Sequence, residues 1–304
     1  MFNTPVLLIV FNRPEVTERT LSAIKKVKPK YLFVAADGPR EERPDDIGKC
    51  QKVKQVIDDM VDWDCELKTL YRDVNLGCGH GPAEAITWFF EHVEEGIILE
   101  DDCLPSNSFF SYCKELLERY REDSRIFLIS GYNKQSEWKL AEQDYFYSNY
   151  GGIWGWASWR RAWKYFDIEL YSLEEAIENK ILLNVLGSEQ GKLREKKILE
   201  AKNDKSIWDY HWGFARNINN ALACVPSKSL IQNIGFGEDA THTKNKIEIE
   251  VKAHDINFPL KKNKFIVPDR SYDSLFFSTN SKPFSKKIKS IPKRFLKRIN
   301  KYWK

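Results

Sequence analysis

The sequence predicts an α/β protein, a mostly parallel β-sheet flanked by helices. Three observations lead there. Residues 6–11, 31–36 and 96–99 are continuous apolar runs, as strands covered on both faces require. Helix-length segments separate them, the alternation that builds a parallel sheet. The chain's 304 residues are 42% hydrophobic, enough to bury a large core.

In order along the chain, the strand at 6–11 meets Pro14, where a helix over 14–27 can begin. A second strand at 31–36 closes on Asp37-Gly38-Pro39, followed by a helix over roughly 44–61 and a third strand at 66–71. The segment Asn75-Leu76-Gly77-Cys78-Gly79-His80-Gly81 reads as a glycine-rich loop before a helical stretch to His92. The next strand ends at Glu100. A helix near 107–121 and a strand near 126–130 follow, then Gly151-Gly152-Ile153-Trp154-Gly155-Trp156-Ala157-Ser158-Trp159, dense in glycine and tryptophan. Helices are expected at 173–186 and 189–202 and from Trp208, short strands at 222–225 and 229–232, and a loop over 235–243. There is no internal repeat and no linker before about residue 255.

Glu100-Asp101-Asp102 stands directly after a buried strand. Three like charges there call for a cation, and a divalent metal is the simplest one. The triple alone is weak, because 44 acidic residues in 304 supply about one such run by chance. Ligands of open α/β sheets bind at the carboxyl ends of strands. Arg13, Asp37 and the triple each follow a strand, and the Asn75 segment lies just beyond another.

Ile98-Leu99-Glu100-Asp101-Asp102-Cys103-Leu104-Pro105, followed by Ser108-Phe109-Phe110 and a helix, resembles the Glu-Asp-Asp region of GT-A nucleotide-sugar glycosyltransferases. It looks most like the N-acetylglucosaminyltransferase I type and related bacterial sugar transferases. The likeness covers roughly residues 3–245 in order of elements, and only the triple with its flanks is specific. It implies a Rossmann-like GT-A fold and inverting transfer of a sugar from a nucleotide-diphosphate donor, UDP favoured, with Mn2+ or Mg2+. By the same resemblance Asp102 is the direct metal ligand, while Glu100 and Asp101 face the ribose, donor sugar or metal-bound water. Phe11, Asn12 and Arg13 hold the nucleoside, and Asp37 accepts from the base or ribose. Arg13 paired with a carboxylate, and Asp37-Gly38 as a plain turn, remain the structural alternatives.

Asn75 and Gly79 belong to the segment whose glycines let backbone approach a ligand, although it matches neither the P-loop nor the dinucleotide fingerprint. Inverting transfer needs a base for the acceptor hydroxyl, and the resemblance assigns Asp209 in Trp208-Asp209-Tyr210-His211-Trp212. The alternative for Asp209 is a helix N-cap. Trp154 or Trp156 is expected to border the acceptor, with Trp159 and Trp163 in the core. His242 is a second candidate for metal or diphosphate, and Glu238 and Asp239 are candidates for the acceptor side. A nucleotidyltransferase and a non-catalytic carbohydrate-binding protein are the rival readings.

Six cysteines without CxxC spacing fit a reducing cytosol, and no signal sequence is read at the N-terminus. The net charge is +4, of which residues 282–304 supply +10 with no acid, leaving −6 on residues 1–281. Phe295, Ile299, Tyr302 and Trp303 stand at helical spacing among those cations, the pattern of a helix lying on an anionic membrane surface. Nucleic acid is the rival partner and none is expected to be bound specifically. The organisation expected is therefore a GT-A domain over 1–255, with a nucleotide-sugar half (1–130) and an acceptor half (131–255). A C-terminal extension (256–281) and the basic amphipathic tail (282–304) complete it. The enzyme is expected in the cytoplasm, peripheral on the inner membrane face, acting on a glycan or lipid-linked glycan in surface polysaccharide assembly.

Overall fold

The computed structural model describes residues 2–139, 143–202, 204, 206–235 and 251–279. Its elements in chain order are β1 (Val6–Val10), α1 (Pro14–Val27), β2 (Tyr31–Ala36), α2 (Asp45–Met60), β3 (Glu66–Tyr71), α3 (Gly77–His92), β4 (Glu95–Glu100) and β5 (Cys103–Pro105). Then come α4 (Phe109–Arg119), β6 (Ile126–Ser130), β7 (Tyr145–Ser148), β8 (Trp156–Trp159), α5 (Arg160–Trp163), α6 (Leu173–Glu178) and α7 (Ile181–Leu186). The last are α8 (Ser188–Lys202), α9 (Asp209–Ile218), β9 (Leu222–Pro226), β10 (Ile231–Asn233) and α10 (Arg270–Thr279).

Eight strands form one mixed sheet in the order β3-β2-β1-β4-β8-β6-β9-β7, and β10 pairs with β5 in a separate two-stranded sheet. β1, β2, β3 and β4 run parallel, as do β6 and β9, while β8 and β7 enter antiparallel. The mostly parallel α/β sheet flanked by helices is therefore the fold.

Period-two geometry splits each central strand between two cores. On one face Val6, Leu8, Val10, Leu32, Val34, Ile97 and Leu99 pack with residues of α1, α2 and α4. On the other, Leu7, Phe33, Ala35 and Ile98 pack with α3, α5 and α9. A third cluster joins α6, α7, α8 and α9. Continuous apolar runs are thus what a sheet with two buried faces needs.

Three local expectations change. The glycine-rich segment is the first turn of α3 rather than a loop, and Gly77 enters it at φ 76°, a backbone region that glycine adopts at no steric cost. The helix expected over 173–186 is two helices, because Lys180 sits left-handed at φ 54° between α6 and α7. The tryptophan-glycine segment supplies a strand, β8, inserted between β4 and β6. β8 and β9 join strands of residues 1–130 in one continuous sheet.

Candidate functional site

Register places the candidate residues. Ile9 pairs with Glu100 and Val10 with Ala36, and Ala36 pairs with Tyr71. The segments that follow, Phe11-Asn12-Arg13, Asp37, Asn75 and Asp101-Asp102, therefore leave the sheet at one edge, the carboxyl end of four parallel strands.

The centre is a guanidinium among carboxylates. Arg13 donates through Nε to Asp101 at 3.3 Å and through Nη2 to both Asp101 and Asp102, the latter at 3.0 Å. Asp101 is only 3% exposed, and the backbone N–H of Phe11 also donates to its carboxylate. The hydroxyl of Thr20 on α1 donates to the Asp101 carbonyl at 2.6 Å, fixing the turn beneath. The cation demanded by the triple is thus supplied first by Arg13.

One arginine does not balance three acids. Burial pushes the Glu100 carboxyl up to about 8, with Asp102 and Asp101 adding to the rise, Arg13 opposing it and the more remote Asp209 adding again. Burial also raises Asp101, less strongly because Arg13 favours its charged form. Burial lowers and the two aspartates raise the Arg13 pKa, and the aspartates win. Glu100 makes no ion pair among the described residues. The excess negative charge is what a hard divalent cation relieves.

Among the described residues no three His, Cys, Asp or Glu side chains form a closed metal cage. Mg2+ and Mn2+ do not need one, since such ions are held by one or two carboxylates with water and substrate phosphate. The donor set fits in kind: Asp102 is partly exposed, with oxygen ligands of the right hardness. A Cβ on Gly235 would collide with the Asp102 carboxylate and stand 2.8 Å from Arg13 Nη1. The backbone at 235 thus closes one side of the pair. The Ile234 N–H donates to the Asp102 carbonyl at 2.9 Å, and β10 pairs with β5 immediately after the triple. The loop expected to carry Glu238, Asp239 and His242 departs from this point; those three residues lie outside the described residues, as does the basic tail.

Asp37 is occupied. Its carboxylate accepts from the N–H groups of Gly38 at 3.1 Å, Leu76 at 3.0 Å and Gly77 at 3.0 Å, and from Asn75 Nδ2 at 3.0 Å. It thereby caps the N-terminus of α3 from across the sheet, taking up backbone donors that a helix leaves unpaired. Burial raises its pKa, while those backbone bonds oppose the rise. Asn75 also donates to the Gly38 carbonyl at 2.8 Å, and Gly79 is buried within α3. A free carboxylate for a base or ribose is not what Asp37 presents.

Asn12 is also engaged, through Nδ2 to Asp46 Oδ1 at 2.7 Å. Arg40 grips the same fully buried Asp46 with Nε at 2.6 Å and Nη2 at 2.9 Å, and its guanidinium lies 5.3 Å from the Phe11 ring centroid. Arg40 holds the Asp46 carboxyl down at about 2 despite burial, with Asn12 assisting. Sequence reasoning missed this pair, although Arg40 follows the Asp37 turn directly.

On the acceptor side, Asp209 is the first residue of α9 and partly buried; the N-cap is Trp208, which makes no side-chain cap bond. Asp209 thus stands in the first turn of α9, one residue inside the N-cap position. Its field reaches both Glu100 and Arg194. Trp154 is partly buried against Tyr132, ring centroids 4.6 Å apart. Trp156 is a correction: at 1% exposure it lies in the core, 6.0–6.1 Å from the rings of Trp163, Trp208 and Trp212, with no face for a sugar. Its place as the first residue of β8, a strand between β4 and β6, explains this, since the sheet is covered on both faces.

No family model matches the chain, and no curated protein matches it. Among solved structures, a mannosyltransferase from Pyrobaculum calidifontis, in complex with GDP-mannose and Mn2+, is similar at 12% identity and TM-score 0.40, over 71% of this chain and 70% of that one. A 4-diphosphocytidyl-2C-methyl-D-erythritol synthase from Anaerococcus prevotii follows at 10% identity and TM-score 0.38, over 78% and 95%. A UDP-glucose pyrophosphorylase complexed with UDP-glucose is similar at 10% identity and TM-score 0.35, over 76% and 93%.

Proposed function

We propose that the chain is a metal-dependent glycosyltransferase of GT-A type, moving a sugar from a nucleotide-diphosphate donor to a glycan or glycolipid acceptor with inversion. One observation carries the reading: Asp101 and Asp102 share a single arginine, with Glu100, in no ion pair among the described residues, next to them in the chain, at the edge where β1, β2 and β4 end. Asp102 is the metal ligand in this scheme, because it is the most exposed end of the triple's arginine clamp and faces the Gly235 backbone. A divalent ion bound there would neutralise charge on the departing nucleoside diphosphate.

The chain's own residues do the rest. Arg13 holds Asp101 and Asp102 in place before the donor arrives. The nucleoside lies toward Phe11 and Arg40, with Asp37 acting through the α3 terminus it caps. Asp209 removes the acceptor hydroxyl proton as that oxygen attacks the anomeric carbon; the new C–O bond forms as the bond to the diphosphate breaks. Trp154 borders the acceptor. His242, Glu238 and Asp239 are proposed to complete metal and acceptor contacts from the loop after Gly235. The tail at 282–304 is proposed to bring the enzyme to an anionic cytoplasmic membrane surface, which deletion of 283–304 and vesicle sedimentation would check.

The reaction is tested by incubating the full chain with UDP-, GDP- and dTDP-sugars and Mn2+ and measuring release of nucleoside diphosphate. Release from one donor class is expected, and Asp209→Asn is expected to lower it by about 10²-fold or more with donor affinity nearly unchanged. Equal rates in the two proteins would remove Asp209 from the chemistry.

A further inference from the structure

Residues 255–269 form a strap along β7, the outermost strand on its side of the sheet. It is pinned repeatedly. Ser108 donates to Asp255 through N and Oγ, both at 2.9 Å. The Leu260 N–H donates to Glu115 at 3.1 Å and its carbonyl accepts from Arg119 at 3.0 Å. The Lys261 N–H donates to Asp144 at 2.7 Å, Asn263 Nδ2 to the Tyr145 carbonyl at 2.8 Å, and the Asp269 N–H to the Tyr147 carbonyl at 2.8 Å. Leu260 is buried, and Ile256 and Ile266 pack on the core.

Against that anchored backbone, three large apolar side chains face water. Phe258 is 40% exposed, Phe265 67% and Val267 63%. Three exposed lysines, Lys261, Lys262 and Lys264, are interleaved with them and make no ion pair among the described residues. The Lys264 ammonium lies 5.2 Å from the Phe265 ring centroid. Nearby acids do not compensate: Glu115 and Asp144 accept from strap backbone, Asp255 from Ser108, and Asp269 pairs with Lys139 and Trp138. Single exposed hydrophobes are ordinary on a protein surface. Three within ten residues, on backbone pinned at several points and interleaved with three lysines that make no ion pair among the described residues, are the composition of an interfacial anchor.

We propose that this strap is a docking surface for an anionic lipid bilayer, with Phe258, Phe265 and Val267 entering the headgroup region and Lys261, Lys262 and Lys264 pairing with lipid charge. Charge complementarity selects an anionic surface, and the exposed apolar side chains, aliphatic Val267 among them, select lipid over duplex nucleic acid, whose phosphates would use the lysines alone. The strap leads through α10 into 282–304, whose ten cations and no acids have the same preference. The proposal is independent of the transfer reaction and of the tail's own role.

Flotation of the full chain with vesicles of phosphatidylcholine, with and without phosphatidylglycerol, tests it. The unaltered protein is expected to float only with the anionic vesicles. Phe265→Ser with Val267→Ser, which leaves every cation in place, is expected to reduce partitioning about tenfold or more. Lys261→Gln with Lys262→Gln and Lys264→Gln should reduce it about a hundredfold, near fivefold per lysine. Phe265→Trp, which keeps an interfacial aromatic, should float as the parent does. An unaltered chain that fails to float, or full partitioning by either the serine or the glutamine variant, overturns the proposal.

Discussion

At the scale of single residues, the site is governed by an imbalance of charge. Arg13 is the only cation contacting Asp101 and Asp102 among the described residues, so its removal leaves buried carboxylates unpaired. Arg13→Leu is expected to lower stability by about 3 kcal/mol, the usual scale for breaking a buried pair. Mn2+ should restore part of that loss in urea denaturation, and restore more in the variant than in the parent. Asp46 gives the opposite pH behaviour from a raised carboxylate. Its folded pKa, about 2, lies below the unfolded value of 3.8. Its contribution is therefore complete above about pH 4 and is lost as pH falls through about 2. That contribution is on the order of 1–2 kcal/mol, allowing for solvent around the partly exposed Arg40. Asp46→Asn should flatten the stability profile across that window. The acidic triple and Arg13 were legible in the sequence because each follows an apolar run directly. Arg40 and Asp46 were not, since an arginine in a charged turn and an acid in a first helical turn look like solvated surface until the two are seen to meet, with Asn12 closing on Asp46 from the end of β1. Trp156 misled for a related reason: its glycine-rich neighbourhood resembled a binding loop, while its own position opens a buried strand.

At the scale of elements, the parallel strands and their helices were readable because covered strands are uninterrupted apolar runs, and the two faces of β1, β2 and β4 divide between the two cores accordingly. The later elements were harder to read. β7 and β8 are four residues each and pair antiparallel with strands distant in sequence, which no local periodicity encodes. The start of α3 was misread because three glycines in five residues are poor helix formers. What offsets them is a cap supplied from β2's end, by Asp37. Asp37→Ala is accordingly expected to destabilise the protein by about 1–2 kcal/mol, the range for lost helix caps. Chemical denaturation measures that directly. A fall under a few tenths of a kcal/mol would show that the α3 terminus is held by something other than this carboxylate.

At the scale of the molecule, the carboxyl end of the parallel strands gathers the residues proposed to bind the donor, while the last strand of the sheet, β7, carries the strap. The described residues contain no helix long and apolar enough to cross a membrane. Bilayer contact, as proposed, is a surface interaction made by side chains that the fold holds outward. The central claim remains that the acidic triple binds a divalent metal together with a nucleotide sugar. Thermal unfolding of the full chain and of Asp102→Asn, each with and without Mn2+ and a panel of nucleotide sugars, tests it most directly, because a ligand that binds only the folded state raises apparent stability. At a hundredfold excess over Kd the rise is about 2.7 kcal/mol. The account predicts a Mn2+-dependent rise with one donor class that Asp102→Asn abolishes; a response to no donor, or an equal response in both proteins, contradicts it.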